Sequence, residues 1–311
     1  MGRGVLLGAP AAAVAVSDPQ LGAVMAIGVV PVASIPLAPL RRGRIRAGMV
    51  GVVAAASLLL GAVLAQWPPL AVVGILVLAP LAAHVSVSRP PVLLALTLAL
   101  PLMAVGFSYP GFSAAAPLAA ALLLGAVYAT GISLLWPSRP APTGPPPAAP
   151  PREMLLRYGY AAGAAGALCA AVGFALDLEH VGWAPAAALL VMRPMPAVQR
   201  MRSLDRVIDV VVGASAAIAL TALGAPDWAY ALAVLVGVAV ATATAGSRRY
   251  LLPTLTTFLA FVMLLYDVPG EGQGRFWERV LETGLGIAAA AVFGLLLPVV
   301  LERSEERPVS S

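Results

Sequence analysis

The stretch RIRAGMVGVV at residues 44–53 recurs as RVIDVVVGAS at residues 206–215. In both copies an Arg enters an apolar run, and a Gly follows seven residues later. The offset of about 160 residues persists along the chain, since Trp67 then matches Trp228. A long internal repeat in an apolar chain predicts a duplicated bundle of membrane helices.

Composition supports a membrane environment. Of 311 residues, 60% are hydrophobic and 11% are charged, with a mean hydropathy of +0.93. Soluble proteins have roughly 45–50% apolar and about 25% charged residues. The lipid bilayer is therefore the expected partner of most of this surface, and water is not.

The Arg, Cys and His content argues against several kinds of binding partner and site. All 19 basic residues are Arg, and the calculated pI of about 9.9 is typical of positively charged cytoplasmic loops. We expect no nucleic acid partner, because the sequence shows no aromatic-plus-basic motif of the kind that binds nucleic acid. The single Cys169 excludes an intrachain disulfide, and two His with one Cys form no metal cluster of standard spacing. We expect no cofactor and no metal.

Twelve apolar segments lie between charged or Pro- and Gly-rich breaks. They span residues 4–17, 20–38, 46–66, 68–86, 91–107 and 114–136 in the first half, and 155–176, 182–196, 206–224, 227–245, 251–267 and 278–299 in the second half. The pattern predicts an all-α, polytopic transmembrane bundle of about 10–12 helices, built as a parallel six-plus-six internal repeat. The first segment has some features of a signal peptide, but we expect an uncleaved short helix.

The predicted domains are a first transmembrane repeat at 1–137, a Pro-rich cytoplasmic linker at 138–153, a second transmembrane repeat at 154–301 and a cytoplasmic tail at 302–311. Arg residues fall on one predicted side in both repeats, and acids dominate the other side. The positive-inside rule then predicts a multi-pass protein of the plasma membrane with both termini cytoplasmic.

The second segment of each half is interrupted by prolines, at residues 21–40 and 183–198. Broken helices persist in membranes where they are buried or line a cavity, so these segments are candidate transport sites. Arg193 and Pro194 end the second of them, and an Arg at membrane depth tends to face a cavity or an anion. The alternatives for these segments are a kinked structural helix or an ordinary loop, and the alternative for Arg193 is that it extends to the cytoplasmic membrane surface.

One Arg cluster lies at the start of the third segment in each half. The clusters contain Arg41, Arg42, Arg44 and Arg46 in the first half, and Arg200, Arg202 and Arg206 in the second half. Their field would concentrate organic anions near a cytoplasmic pore mouth. The alternative is that they only fix the orientation of the chain.

Three acids lie near arginines in the sequence. Asp209 follows Arg206 by three residues, so both lie on one helix face and a structural ion pair is favoured over a proton-coupling carboxylate. Glu282 has the same spacing to Arg279. Asp205 and Asp209 form a DxxxD pattern, which leaves open an enzyme that acts on a lipid diphosphate. We expect no catalytic residues, because Walker, GxSxG and HExxH motifs are absent from the sequence.

The run HVGWAPAAALLVMRPMPAVQRMRSLDRVIDVVVGASAAIAL from His180 resembles the core of the fusaric acid resistance and aromatic acid exporter family, with the best agreement at about 180–225. The residues that match the family pattern are Trp183, Pro194, Arg202, Arg206 and Gly213. Asp209 and Val210 stand where that family has a Gly–Thr pair. The resemblance implies a bacterial inner-membrane permease that exports aromatic or other organic acids.

The sequence thus predicts a permease or exporter for small organic acids, aromatic acids among them, whose anions are attracted by cytoplasmic arginines. The predicted substrate path comprises Arg193, Arg206, Arg202, Arg200, Arg44, Pro194 and Trp183, and the predicted coupling or ion-pair residues are Asp209 and Glu282. Two alternatives stay open: a membrane scaffold or accessory subunit without transport of its own, and the lipid diphosphate enzyme. The sequence leaves open whether the chain forms a homo-oligomer or binds an accessory subunit.

Overall fold

A computed structural model describes residues 2–34, 41–89, 92–93, 95–137, 150–244, 251–266 and 268–297. Within these ranges the chain is helical and contains no strand, which confirms the all-α prediction. The tail at 302–311 and residues 138–149 of the predicted linker lie outside the described residues.

Twelve α-helices follow one another along the described chain. They are α1 (Gly2–Ala15), α2 (Pro19–Ser34), α3 (Arg41–Leu64), α4 (Pro68–Ser88), α5 (Leu100–Gly106), α6 (Phe112–Leu135), α7 (Arg152–Ala175), α8 (Trp183–Val191), α9 (Pro196–Ala222), α10 (Asp227–Ala243), α11 (Leu251–Leu265) and α12 (Gly272–Ala291). Two π-helical segments adjoin them, Ala95–Ala99 before α5 and Val292–Leu296 after α12; we call the latter the α12 π segment.

Several helices begin earlier than the hydropathy pattern predicts, α9 and α3 among them. We expected α9 to begin near residue 206, but it begins at Pro196, and α3 begins at Arg41 rather than at 46. Hydropathy places a boundary where charge appears, although Arg, Gln and Met favour helices. Arg200, Arg202 and the first Arg cluster are therefore helical residues and not loop residues.

Among the described residues, five helical stretches are long and apolar enough to cross a membrane. They are α3, α4, α6, α7 and the stretch Gly272–Leu296, which joins α12 to its π segment. Five shorter apolar helices accompany them, α1 and α10 among them. This content places the chain in a lipid environment.

The described helices form two compact units. The first unit comprises Met1–Ala56, Ser113–Pro146 and Asp205–Val280. Within it, α1 packs against α2 and α10, and α2 packs against α11. Its apolar core includes Leu7, Val29, Val234, Leu259 and Phe261, all essentially inaccessible to solvent.

The second unit comprises Ser57–Phe112, Pro147–Leu204 and Leu281–Ser311. Within its described residues, α7 packs against α4, α8 and the α12 π segment, and α8 packs against α5. Ile75, Met103, Cys169, Leu189 and Met192 belong to its core. Each unit therefore contains helices from both halves of the sequence.

Glycines allow helix backbones to approach closely inside each unit. A Cβ on Gly61 would collide with the carbonyl oxygen of Met103 in the second unit. In the first unit, a Cβ on Gly28 would collide with the carbonyl oxygen of Leu122. Small residues at such crossings give the van der Waals contact that holds helices together in lipid.

Candidate substrate cavity

The turn between α8 and α9 carries the unusual sequence Met192–Arg193–Pro194–Met195. A residue before proline avoids the helical conformation, and proline itself has no backbone N–H, so α8 ends here. Met192 is already extended, with φ −60° and ψ 135°, and its N–H donates to the carbonyl of Ala188. The chain re-enters a helix at Pro196, and proline is well tolerated at a first helical position.

This turn borders a cavity of about 470 Å³ inside the second unit. The lining residues come from α7, the turn, α9 and the α12 π segment. They are Pro151, Glu153, Met154, Arg157, Tyr158, Ala161, Met192, Arg193, Pro194, Pro196, Gln199, Phe293 and Gly294. The volume lies within the range of about 300–1,000 Å³ that is typical of small-molecule sites.

Arg193 is the half-buried cation of this cavity. Its Nη1 donates to the carbonyl of Met192 at 2.5 Å, and its guanidinium and the Tyr158 hydroxyl are electrostatic neighbours. Arg202 is also near and adds positive charge. Among the described residues, none brings a carboxylate within ion-pair distance of Arg193. A shielded cation without an acid favours a bound anion.

Two helix N-termini reinforce this field. The first turn of α7 contributes Glu153 and Met154 to the lining, and the first turn of α9 contributes Pro196 and Gln199. Helix N-termini carry partial positive charge and free N–H groups, which stabilise anions. Glu153 pairs with Arg157 at 2.7 Å on the exposed side of α7, so the lining keeps an excess of one positive charge from Arg193.

The predicted pair on α9 belongs to the first unit. Arg206 Nη1 donates to Asp209 Oδ2 at 3.1 Å, with side chains 9% and 1% exposed. Asp205 and Arg279, both buried, lie close enough to act electrostatically on the Asp209 carboxylate. The first unit thus holds a buried charge cluster of two acids and two arginines.

Arg44 has a different environment from Arg206, its counterpart in the predicted repeat. It is 5% exposed, and its Nη1 donates to the carbonyls of Ser133 at 2.5 Å and Trp136 at 2.6 Å. These carbonyls lie at the C-terminus of α6, where a helix leaves its last acceptors unpaired. Arg44 therefore caps α6 in the first unit.

The other predicted residues lie apart from the cavity lining. Trp183 is buried at the start of α8 and stacks on His180 with a centroid distance of 4.1 Å. Arg200 is exposed, Arg202 is half-buried, and Glu282 is buried on α12. Of the predicted substrate path, the structure places Arg193 and Pro194 in the cavity wall.

Sequence reasoning missed Tyr158 and Gln199, which complete the polar wall. Tyr158 lies in α7, in a stretch that resembles any small-residue membrane helix, and no local signal marks it. Gln199 does carry a signal, because it is the one uncharged polar side chain between Pro194 and Ser203. Such a residue beside a Pro-broken turn is a candidate for a specific hydrogen bond.

Residues 168–293 match the model of the family described as fusaric acid resistance protein-like. The matched segment runs from α7 into the α12 π segment and includes Arg193 and Gln199. It confirms the family resemblance inferred from residues 180–225 and extends it on both sides. No curated protein and no solved structure matches the chain. Together with the five candidate spans, the match indicates a multi-pass membrane protein related to transport.

Proposed function

We propose that the protein is a permease of the bacterial inner membrane that exports small organic acids, aromatic acids among them. The observation that carries the proposal is Arg193, a half-buried cation in a cavity that two helix N-termini border. A carboxylate at this position would accept hydrogen bonds from the guanidinium and from the Tyr158 hydroxyl. Met154, Met192 and Phe293 would contact the hydrocarbon part of the same molecule.

The proposed orientation places both termini and the linker at 138–153 in the cytoplasm, because Arg dominates the predicted inner side. The cavity lining begins at Pro151, near the end of this linker, so the cavity would load from the cytoplasm as an exporter requires. The sequence contains no ATPase motif. The energy would come from an ion gradient or from the gradient of the acid itself.

We also propose the parallel six-plus-six repeat as the scaffold of this permease. The offset of about 160 residues equates α1 with α7, α2 with α8, α4 with α10 and α5 with α11. The packing of α1 on α10 and of α2 on α11 in the first unit then corresponds to the packing of α7 on α4 and of α8 on α5 in the second. This agreement supports the repeat, because the repeat was inferred from the sequence alone and the helix contacts are an independent observation.

The proposal is tested with the full chain in proteoliposomes loaded with labelled benzoate or succinate. Arg193→Ala should abolish saturable efflux, whereas Arg152→Ala, an exposed Arg outside the cavity lining, should leave it unchanged. Equal flux in wild type and Arg193→Ala would refute this cavity as the path. No flux with the wild type, together with a stably co-purifying partner, would favour an accessory subunit instead.

A further inference from the structure

Gln199 is buried to 1% exposure in the first turn of α9, although the surrounding second-unit core is apolar. A buried amide is costly unless its donor and acceptor are both used. Its Nε2 donates to the carbonyl of Ala290 at 2.7 Å, and its Oε1 lies 3.5 Å from the backbone nitrogen of Arg193. Gln199 therefore connects the Arg193 turn to α12 through one side chain.

The α12 side of this contact is also unusual. Ala290 lies just before the α12 π segment, where Leu297 N–H donates to Val292 in an i→i+5 bond. The π segment contains Gly294, and a Cβ there would lie 2.5 Å from Oε1 and 2.6 Å from Nε2 of Gln199. The absence of a side chain at Gly294 thus makes room for the Gln199 amide. Short π segments within α-helices occur frequently at functional sites.

We propose that Gln199 is a positioning residue that holds the Arg193 turn, and with it the guanidinium, at the wall of the cavity. The inference rests on the proposed transport function, since it concerns the same cavity. Met192 N–H fixes the start of the turn to α8, and the Gln199 amide fixes the next backbone nitrogen. Without the Gln199 amide, the Arg193 guanidinium would keep its charge but lose its fixed position. The transported organic acid would then bind less tightly.

Two variants remove this connection by different routes. Gln199→Met keeps the volume and removes both polar atoms, whereas Gly294→Ala keeps the amide and displaces it. Each should raise the KM for benzoate or succinate by about three- to tenfold, the loss expected for one buried hydrogen bond, with Vmax per folded transporter unchanged. The double variant should show no further rise, because both changes break the same contact. Gln66→Met, an exposed glutamine in the same unit, is the matched control.

Hydrogen exchange by mass spectrometry gives a readout that needs no substrate. Exchange in residues 192–198 should increase in both single variants and remain at the wild-type level in Gln66→Met. An unchanged KM, a fall in Vmax alone, additive effects in the double variant or unchanged exchange would each overturn the positioning role. Arg193→Ala separates the two proposals: if it abolishes flux while Gln199→Met changes nothing, the transport function stands and the role of Gln199 fails.

Discussion

Replacement of Asp209 by Leu should destabilise the protein by about 3–5 kcal/mol, because it leaves the buried guanidinium of Arg206 without its partner. The cluster around it contains two acids and two arginines, because Asp205 and Arg279 also act electrostatically on the Asp209 carboxylate. The substitution therefore removes the acid that pairs with Arg206 and changes the charge balance of this buried cluster by one.

The distance between the Arg206 and Asp209 side chains sets the size of the expected loss of stability. Unit charges 3.1 Å apart attract each other by about 5 kcal/mol at an effective dielectric constant of about 20, and by only about 1 kcal/mol in bulk water. Exposures of 9% and 1% place the pair near the first value. By contrast, the exposed Glu153–Arg157 pair, with side chains 77% and 62% exposed, should contribute under about 0.5 kcal/mol.

The assay is reversible unfolding in mixed micelles, with tryptophan fluorescence as the signal. Asp209→Leu and Arg206→Met should each be strongly destabilising. The double variant restores equal numbers of opposite charges and should unfold within about 1 kcal/mol of the wild type. Glu153→Gln is the control for loss of a carboxylate in an exposed pair.

A cost below about 1 kcal/mol for Asp209→Leu would refute the reasoning, because it would mean that the Asp209 charge is already weak or hydrated in the folded protein. Additive losses in the double variant would equally contradict a direct pair. Either result would favour the alternative reading of Asp209 as a proton-coupling carboxylate.

Three further predictions concern other contacts. Arg44→Ala should cost about 2–3 kcal/mol of stability, since two carbonyls at the end of α6 lose a charged donor. Gly61→Ala should severely reduce the yield of folded, non-aggregated protein in size-exclusion chromatography, because its Cβ would collide with the backbone of Met103, which cannot move aside. Tyr158→Phe should raise the KM for the transported acid about threefold, since one neighbour of Arg193 loses its hydroxyl.

Each of these has a matched control, which for Arg44 and Tyr158 lies on the same helix. Arg46→Ala removes an exposed Arg from α3, Gly131→Ala adds a Cβ that meets no atom within 4 Å, and Tyr160→Phe removes an exposed hydroxyl from α7. All three should behave like the wild type. A control that is as damaging as its partner would show that the specific contact is not the cause.

The helix content and the end of α8 could be predicted from the sequence, because both depend on local chemistry. Apolar runs predicted about 10–12 helices, and the described residues form twelve; the prolines predicted an interrupted segment at 183–198, where α8 ends at Val191 and α9 begins at Pro196. The i,i+3 spacing similarly predicted the contact between Arg206 and Asp209, because a helix places residues three apart on one face.

The long-range contacts could not be predicted in this way. Arg44 reaches carbonyls about 90 residues away, and Gln199 reaches Ala290 across a similar separation. Neither partner has a side-chain signal, since both acceptors are backbone carbonyls. The predicted start of α9 was wrong for another reason: a charged helical turn and a charged loop have the same hydropathy.

The mixed composition of the units has a consequence for biosynthesis. The core of the first unit contains α1 and α2 together with α10 and α11, which the ribosome produces about 200 residues later. At about 5–20 residues per second, the first two helices would wait roughly 10–40 s in the membrane before their packing partners emerge. Their Ala- and Gly-rich faces are then open to insertion factors, and a nascent chain arrested before α10 should be recognised as unassembled.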